Sequence, residues 1–184
     1  DRTLLTGANL DVDIDLIGAT NVITGDFIGA GEAGADDLKI SQTGSTNTTA
    51  INVGASAATD DVRIIETRVG SSGATSYTIG NAATVQDVSV TVDVVGDDID
   101  ITLLENSSST GSDKTTDIDI ATDSDDVDII ITHTGAGAHK TKLLCTGSCA
   151  GSDFTMSQTG ANSTDVDLTV TNATSSDVDI TITD

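Results

Sequence analysis

The chain has 184 residues and a formal net charge of −23, with 30 Asp and Glu against seven Lys and Arg. So few cations exclude a nucleic-acid partner, which needs clustered positive charge, and disfavour anionic lipid for the same reason. Aromatics make up 2%, Trp and Pro are absent, and no apolar run approaches the roughly 20 residues of a spanning helix, so neither a ring-filled core nor helical membrane insertion is expected.

After an N-terminal lead-in over 1–10, apolar residues alternate with polar ones in one short stretch after another. Period-two alternation with β-branched side chains predicts strands at 11–16, 21–24, 37–42, 49–53, 61–66, 75–79, 87–95, 98–104, 116–121, 126–132, 140–145, 153–158, 165–171 and 177–183. Gly, Ser, Thr and Asn fill the connections, as tight arcs require. A longer loop is expected over 106–113, through Asn106-Ser107-Ser108-Ser109-Thr110-Gly111-Ser112. No stretch has the 3.6-residue spacing of a helix.

One phrase recurs, an Asp followed by alternating apolar residues: Asp11-Val12-Asp13-Ile14, Asp37-Leu38-Lys39-Ile40, Asp61-Val62-Arg63-Ile64, Asp87-Val88-Ser89-Val90, Asp98-Ile99-Asp100-Ile101, Asp126-Val127-Asp128-Ile129 and Asp177-Val178-Asp179-Ile180. Strand starts fall about 12 residues apart, so two strands and two arcs make a rung of about 24 residues. The fold class predicted is all-β: a single β-solenoid, or β-arcade, over 1–184 with about seven two-strand rungs in cross-β stacking. Val12, Ile14, Leu38, Ile40, Val62, Ile64, Val88, Val90, Val127, Ile129, Phe154, Met156, Val166, Leu168, Val178 and Ile180 should point inward. The Asp-led phrase opens the first arm of a rung at 37, 61 and 87 but the second at 98, 126, 153 and 177. An exchange of character between the arms is favoured over a reset of the count at 106–112.

Two segments are more specific. Leu38-Lys39-Ile40-Ser41-Gln42-Thr43-Gly44-Ser45-Thr46-Asn47 and Phe154-Thr155-Met156-Ser157-Gln158-Thr159-Gly160-Ala161-Asn162 share apolar-x-apolar-x-Gln-x-Gly and a following Asn. This pattern resembles the curlin repeat, the strand-arc-strand unit of curli fibre subunits, as a distant or convergent relative. The rungs opening at 61, 87 and 126 lack the Gln. The resemblance implies that Gln42, Gly44, Asn47, Gln158, Gly160 and Asn162 are the amides that stack between rungs and the glycines that turn the arcs. It also implies a secreted, curli-like subunit of an amyloid-like extracellular filament in a biofilm matrix or on a cell surface.

Edge chemistry points the same way. A rung without a neighbour exposes unpaired backbone groups, and solenoids that stay monomeric cap them. The periodic pattern starts by residue 11 and runs through residue 183 with no helix or Pro to blunt either edge. Val12, Ile14 and Leu16 at one end, and Val178, Ile180 and Ile182 at the other, are therefore the expected polymerisation edges. The expected partner is the chain itself, head to tail. Cations and surface glycans are further candidate partners. A cation-binding adhesin or phage-fibre module is the alternative function.

The remaining chemistry is sparse. Outward Asp side chains stacked in ladders repel unless screened or bridged, so Asp13, Asp100, Asp128 and Asp179 are candidate metal positions, with Ca2+ the ion suited to all-oxygen ligands. No EF-hand loop or Gly-rich calcium nonapeptide accompanies them, and no cofactor is required by any motif. Cys145 and Cys149 flank Thr-Gly-Ser, and a local disulfide is the favoured pairing; two reduced thiols, or a zinc site with His133 and His139, are the alternatives. A local disulfide, together with the start at Asp1 without a Met, suits a secreted, extracellular protein. Lys39 and Arg63 are expected in rungs adjacent to Asp13, and His133 between two Thr is expected on the surface. Four sequons, at Asn47, Asn106, Asn162 and Asn172, are expected by chance in a chain so rich in Ser and Thr. With one Tyr and two His, no paired-carboxylate groove or nucleophile constellation is in prospect, and an enzyme is not expected.

Overall fold

The computed structural model of the chain describes residues 3–7, 10–29, 36–54, 62–80, 85, 87–106, 114–121, 126–135, 138–146, 149–160 and 163–183. Their strands are β1 (Thr3–Gly7), β2 (Asp11–Ile17), β3 (Thr20–Gly29), β4 (Asp36–Thr43), β5 (Thr46–Val53), β6 (Val62–Val69), β7 (Ser72–Ile79), β8 (Val88–Val95), β9 (Ile99–Asn106), β10 (Lys114–Ala121), β11 (Val127–Thr134), β12 (Ala138–Thr146), β13 (Asp153–Thr159), β14 (Ser163–Val170) and β15 (Asp177–Thr183). Odd strands form one sheet in the order β1-β3-β5-β7-β9-β11-β13-β15, and even strands form the other, β2 through β14. All pairs are parallel. The chain changes sheet at every arc, so consecutive strands face each other and each pairs with the strand two places on. Seven two-strand rungs result, with β1 as an additional half rung.

Every predicted strand is present, and two details differ. The lead-in over 1–10 contains β1, whose five residues pair with Gly25–Gly29 of β3. The register step is 26 residues through the first rungs, as in Asn21 over Asn47, rather than 24. Strand starts such as Thr46-Asn47-Thr48 and Ser72-Gly73-Ala74 pair along the backbone without apolar alternation to reveal them. The exchange of arms is found: the Asp-led strands β4, β6 and β8 belong to one sheet, and β9, β11, β13 and β15 to the other. Residues 107–113 of the expected loop lie outside the described residues.

The core is a thin apolar layer between the two sheets. Leu38, Ile40, Val62, Ile64, Val88, Val90, Val127, Ile129, Phe154 and Met156 are buried, as their parity predicts. Each such Val, Leu or Ile contributes roughly 1.5–3 kcal/mol of burial, as an upper estimate. The expectation fails at the ends. Val12, Ile14, Val166 and Leu168 are only partly covered, and Val178 and Ile180 are exposed by 45% and 41%. They occupy inward positions, but the end rungs have no neighbour to cover them.

Arc geometry sets the repeat on one flank. Gly18, Gly44, Gly70 and Gly96 stack, with Gly44 N donating to Val69 O at 3.0 Å and Gly70 N to Val95 O at 2.9 Å. A Cβ on Gly70 would lie 2.1 Å from the Gly44 carbonyl oxygen, and one on Gly44 would lie 1.9 Å from that of Gly18. No side chain fits there. At Gly18, in the end rung, a Cβ would meet only the Asn21 side chain, at 3.0 Å. Gly70→Ala should therefore lower stability by about 1–3 kcal/mol or more through overpacking against backbone, whereas Gly18→Ala should cost clearly less; urea unfolding of the two variants measures the difference.

Candidate assembly site

The two ends of the solenoid are the largest departures from a closed core. At the N-terminal end, among the described residues, β2 has no strand on its outer side, and β3 is covered only over its C-terminal half by β1. An apolar cavity of about 540 Å3 opens there between the sheets, lined by Val12, Ile14, Leu16, Ile23, Phe27 and, one rung deeper, Leu38 and Ile51. Its cause is Gly25. That residue stands in the inward column that carries Ile51, Tyr77, Leu103, Ile131, Met156 and Ile180 in later rungs, so the first rung lacks a filling side chain. At the C-terminal end the columns are filled and protrude: Val178, Ile180 and Ile182 are 45%, 41% and 50% exposed. All six expected edge residues thus lie on uncovered faces. One end is hollow and the other is raised.

The resemblance residues divide. Asn47 is buried and its Nδ2 donates to Val69 O at 3.1 Å and Gly44 O at 3.3 Å, while its Oδ1 accepts from Asn21 Nδ2 at 2.9 Å. It therefore stacks between rungs. Its burial also removes Asn47 from any role as a sugar acceptor. Gln42 and Gln158 are buried but lie in opposite sheets, so they form no common ladder. Each spans its own rung instead, Gln42 Nε2 to Thr49 Oγ1 at 3.0 Å and Gln158 Nε2 to Thr141 Oγ1 at 2.8 Å. Gly44 turns its arc under the steric limit given above. Gly160 has a φ of 75°, in the left-handed region that favours glycine, and its N donates to Thr183 O at 2.9 Å. Asn162 lies outside the described residues.

Two buried polar networks were not singled out by motif. Glu66 is fully buried and accepts from Thr49 Oγ1 at 2.8 Å, Thr75 Oγ1 at 3.0 Å and Tyr77 OH at 2.9 Å. Arg68 Nη1 donates to Thr75 Oγ1 at 2.8 Å, linking the guanidinium to the carboxylate through one hydroxyl. Gly73 makes room for it, since a Cβ there would lie 3.1 Å from Arg68 Cζ. Burial lowers the Arg68 pKa, an effect opposed by negative Glu66; burial and then Glu66 push Tyr77 well above the ordinary phenol value. In the second network, His133 Nε2 lies 3.2 Å from Glu105 Oε2 and 3.1 Å from Thr116 Oγ1, with all three residues buried. His133 is therefore not a surface side chain. The parity of Val127, Ile129 and Ile131 carries it inward, a signal the sequence contained. His139 is also buried, 5.5 Å from His133 between ring centroids.

The acidic columns are regular but differ from the expected set. Asp100, Asp128, Asp153 and Asp177 stand in register on the outer face of the odd sheet, about 4.8 Å apart at the usual strand spacing. Asp179 does not join them, because it is in register with Thr155; Asp13 is on the other sheet, opposite Lys39. Phase explains the miss, since Asp179 is two residues beyond Asp177 and so one column over on the same face. Lys39 Nζ reaches Asp11 at 3.8 Å, and Arg63 pairs with Asp37 instead of lying next to Asp13. Among the described residues no group of three or more His, Cys, Asp or Glu converges to hold a metal ion. Cys145 and Cys149 form the disulfide, both sulfurs buried at the β12–β13 arc. Among the described residues no helix is long and apolar enough to cross a membrane.

Comparison with protein-family models, curated proteins and solved structures finds no match. The fold itself defines the class: a two-sheet parallel β-solenoid.

Two measurements follow from these networks. Other rungs carry Val92 and Ile118 in the column of Glu66, and Val94 and Ile120 in that of Arg68. Glu66→Val alone should cost about 3–5 kcal/mol by leaving Arg68 buried without its counter-charge; adding Arg68→Val should recover much of that loss in chemical denaturation. Partial loss of hydration, then Asp153, Asp100 and Asp126, raise the Asp128 pKa. A carboxyl raised in the folded state binds its proton more tightly there than in the unfolded chain, so stability falls as pH rises through the folded value. Asp128→Asn should accordingly raise the melting temperature at pH 7, and the gain should shrink as the pH falls toward the unfolded carboxylate value of about 3.9.

Proposed function

We propose that the protein is a structural subunit of a self-assembling filament, stacking head to tail by its rungs. The observation that carries this reading is the pair of complementary ends: a hollow apolar end at β2–β3 and a raised apolar end at β14–β15 in the same inward columns. Joining them covers faces that otherwise sit in water and pairs the open backbone groups of β2, β14, β15 and the uncovered half of β3, a combination that favours an unclosed heterologous contact. The buried disulfide supports an oxidising, extracellular setting. The resemblance to the curlin repeat supports the same assignment for Gly44 and Asn47 in particular.

Charge sets the conditions for growth. Continuing the even sheet from β14 to β2 of the next copy, in the register seen within the chain, places Asp165 opposite Asp11 and Asp167 opposite Asp13. Like charges directly opposite each other on a sheet are destabilising, and salt screens them. Concentrated protein should therefore give filaments by negative-stain electron microscopy, sparse at low ionic strength and abundant at about 0.5 M salt, where the Debye length falls below the strand spacing. Compact monomers in sedimentation at every salt concentration would overturn the proposal.

A further inference from the structure

The two sheets hold eight strands and seven, and β1 is the difference. This matters if the chain stacks as proposed above, and the inference rests on that reading. For both sheets to continue across a joint, β14 must pair with β2 of the next copy and β15 with its β3. The C-terminal half of that β3 edge is already occupied by β1, over Gly25–Gly29. Were β1 to stay, the odd sheet would gain an extra layer at each joint, and β14 and β2 would be left one strand apart with both edges unpaired. Buried edges of that kind are rarely tolerated.

We propose that copies join by strand exchange, with β15 of one copy displacing β1 from β3 of the next. The register inside the chain supplies the fit. Following the columns of the odd sheet, β15 sets Val178 over Ile23, Ile180 over Gly25 and Ile182 over Phe27. Ile180 then stands in the layer directly over Gly25, where Thr3 of β1 is in register in the free chain, and brings an apolar side chain to the mouth of the hollow. β15 brings seven residues where β1 pairs five. On the outer face Asp177 meets Val22 and Asp179 meets Thr24, so this half of the joint opposes no two carboxylates. β1 acts as the resident occupant of a site that fits β15 better, and it holds that edge closed until a partner arrives.

A reversible tether tests the exchange in the full-length protein. Leu4 and Asp26 are in register, and neighbouring parallel strands bring Cα atoms about 4.8 Å apart, within disulfide reach. Oxidised Leu4→Cys/Asp26→Cys protein, with β1 held on β3, should elongate at least tenfold more slowly than wild type. Added in small amounts to growing wild-type filaments, it should dock through its own β15 and terminate that end. Reduction should restore growth to the level of wild type treated with the same reductant, a control needed because Cys145–Cys149 is reduced as well. A second variant, Leu4→Pro/Leu5→Pro, weakens the β1 pairing, because one of two consecutive N–H groups faces β3 in a parallel pair and is removed, and it should shorten the lag before growth. Wild-type elongation by the oxidised tether, with filaments otherwise normal, would overturn strand exchange and leave head-to-tail stacking standing. Absence of filaments from both wild type and reduced protein would overturn both.

Discussion

In-register parallel stacking is the constraint on which the rest of this structure depends. Once one strand lies directly over another, every side chain shares a column with its counterparts above and below, and each column must suit all its members at a spacing near 4.8 Å. The glycine arc is the strictest case, because the Gly44 and Gly70 positions approach the backbone of the rung beneath so closely that a methyl group has no place. The Asn21–Asn47 pair is the converse, a column in which the same amide twice over satisfies the carbonyls of neighbouring arcs. Where a column carries like charges, as at Asp100, Asp128, Asp153 and Asp177, the same geometry forces carboxylates together, and loss of hydration followed by Asp153 and Asp100 raises the Asp128 pKa.

Apolar columns alone would stack equally well one rung out of step. The interior polar groups differ from rung to rung and break that degeneracy. Glu66, Arg68, Tyr77 and Gly73 form one arrangement that fits a single level of the solenoid, and Glu105, His133 and Thr116 form another. Buried polar groups of this kind contribute little net stability but penalise misalignment, because a slipped register would strand a charge in the apolar layer. In the joint we propose, Val178, Ile180 and Ile182 would supply apolar area, and register would have to come from the shape of the hollow at Gly25 and from the outward charges beside it.

Most of the fold was legible because the signal is local. Alternation in Val127-Asp128-Ile129-Ile130-Ile131 or Val88-Ser89-Val90-Thr91-Val92 shows which side chains face inward, and the recurrence of the phrase shows that such strands are stacked. The local disulfide is the pairing the sequence favours, and the structure decides it against two thiols or a zinc site. Strand starts such as Thr46-Asn47 and the whole of β1 were not, because their polar or small residues carry no alternation and their pairing is dictated by the strands alongside. His133 stands between two Thr, which suggests the surface, but the parity of β11 puts it inside.

By itself, the sequence determined the architecture and the apolar layer, since both follow from period-two patterning and its recurrence along the chain. Only the tertiary structure decided the 26-residue register, and with it which Asp residues share a column, which Asn residues meet and which buried groups bond across the layer. It alone revealed the eight-to-seven strand count and the hollow at Gly25. The physical reason is that inward or outward direction is a property of one strand, whereas a column belongs to strands some 26 residues apart, aligned by arcs whose length the local pattern does not encode.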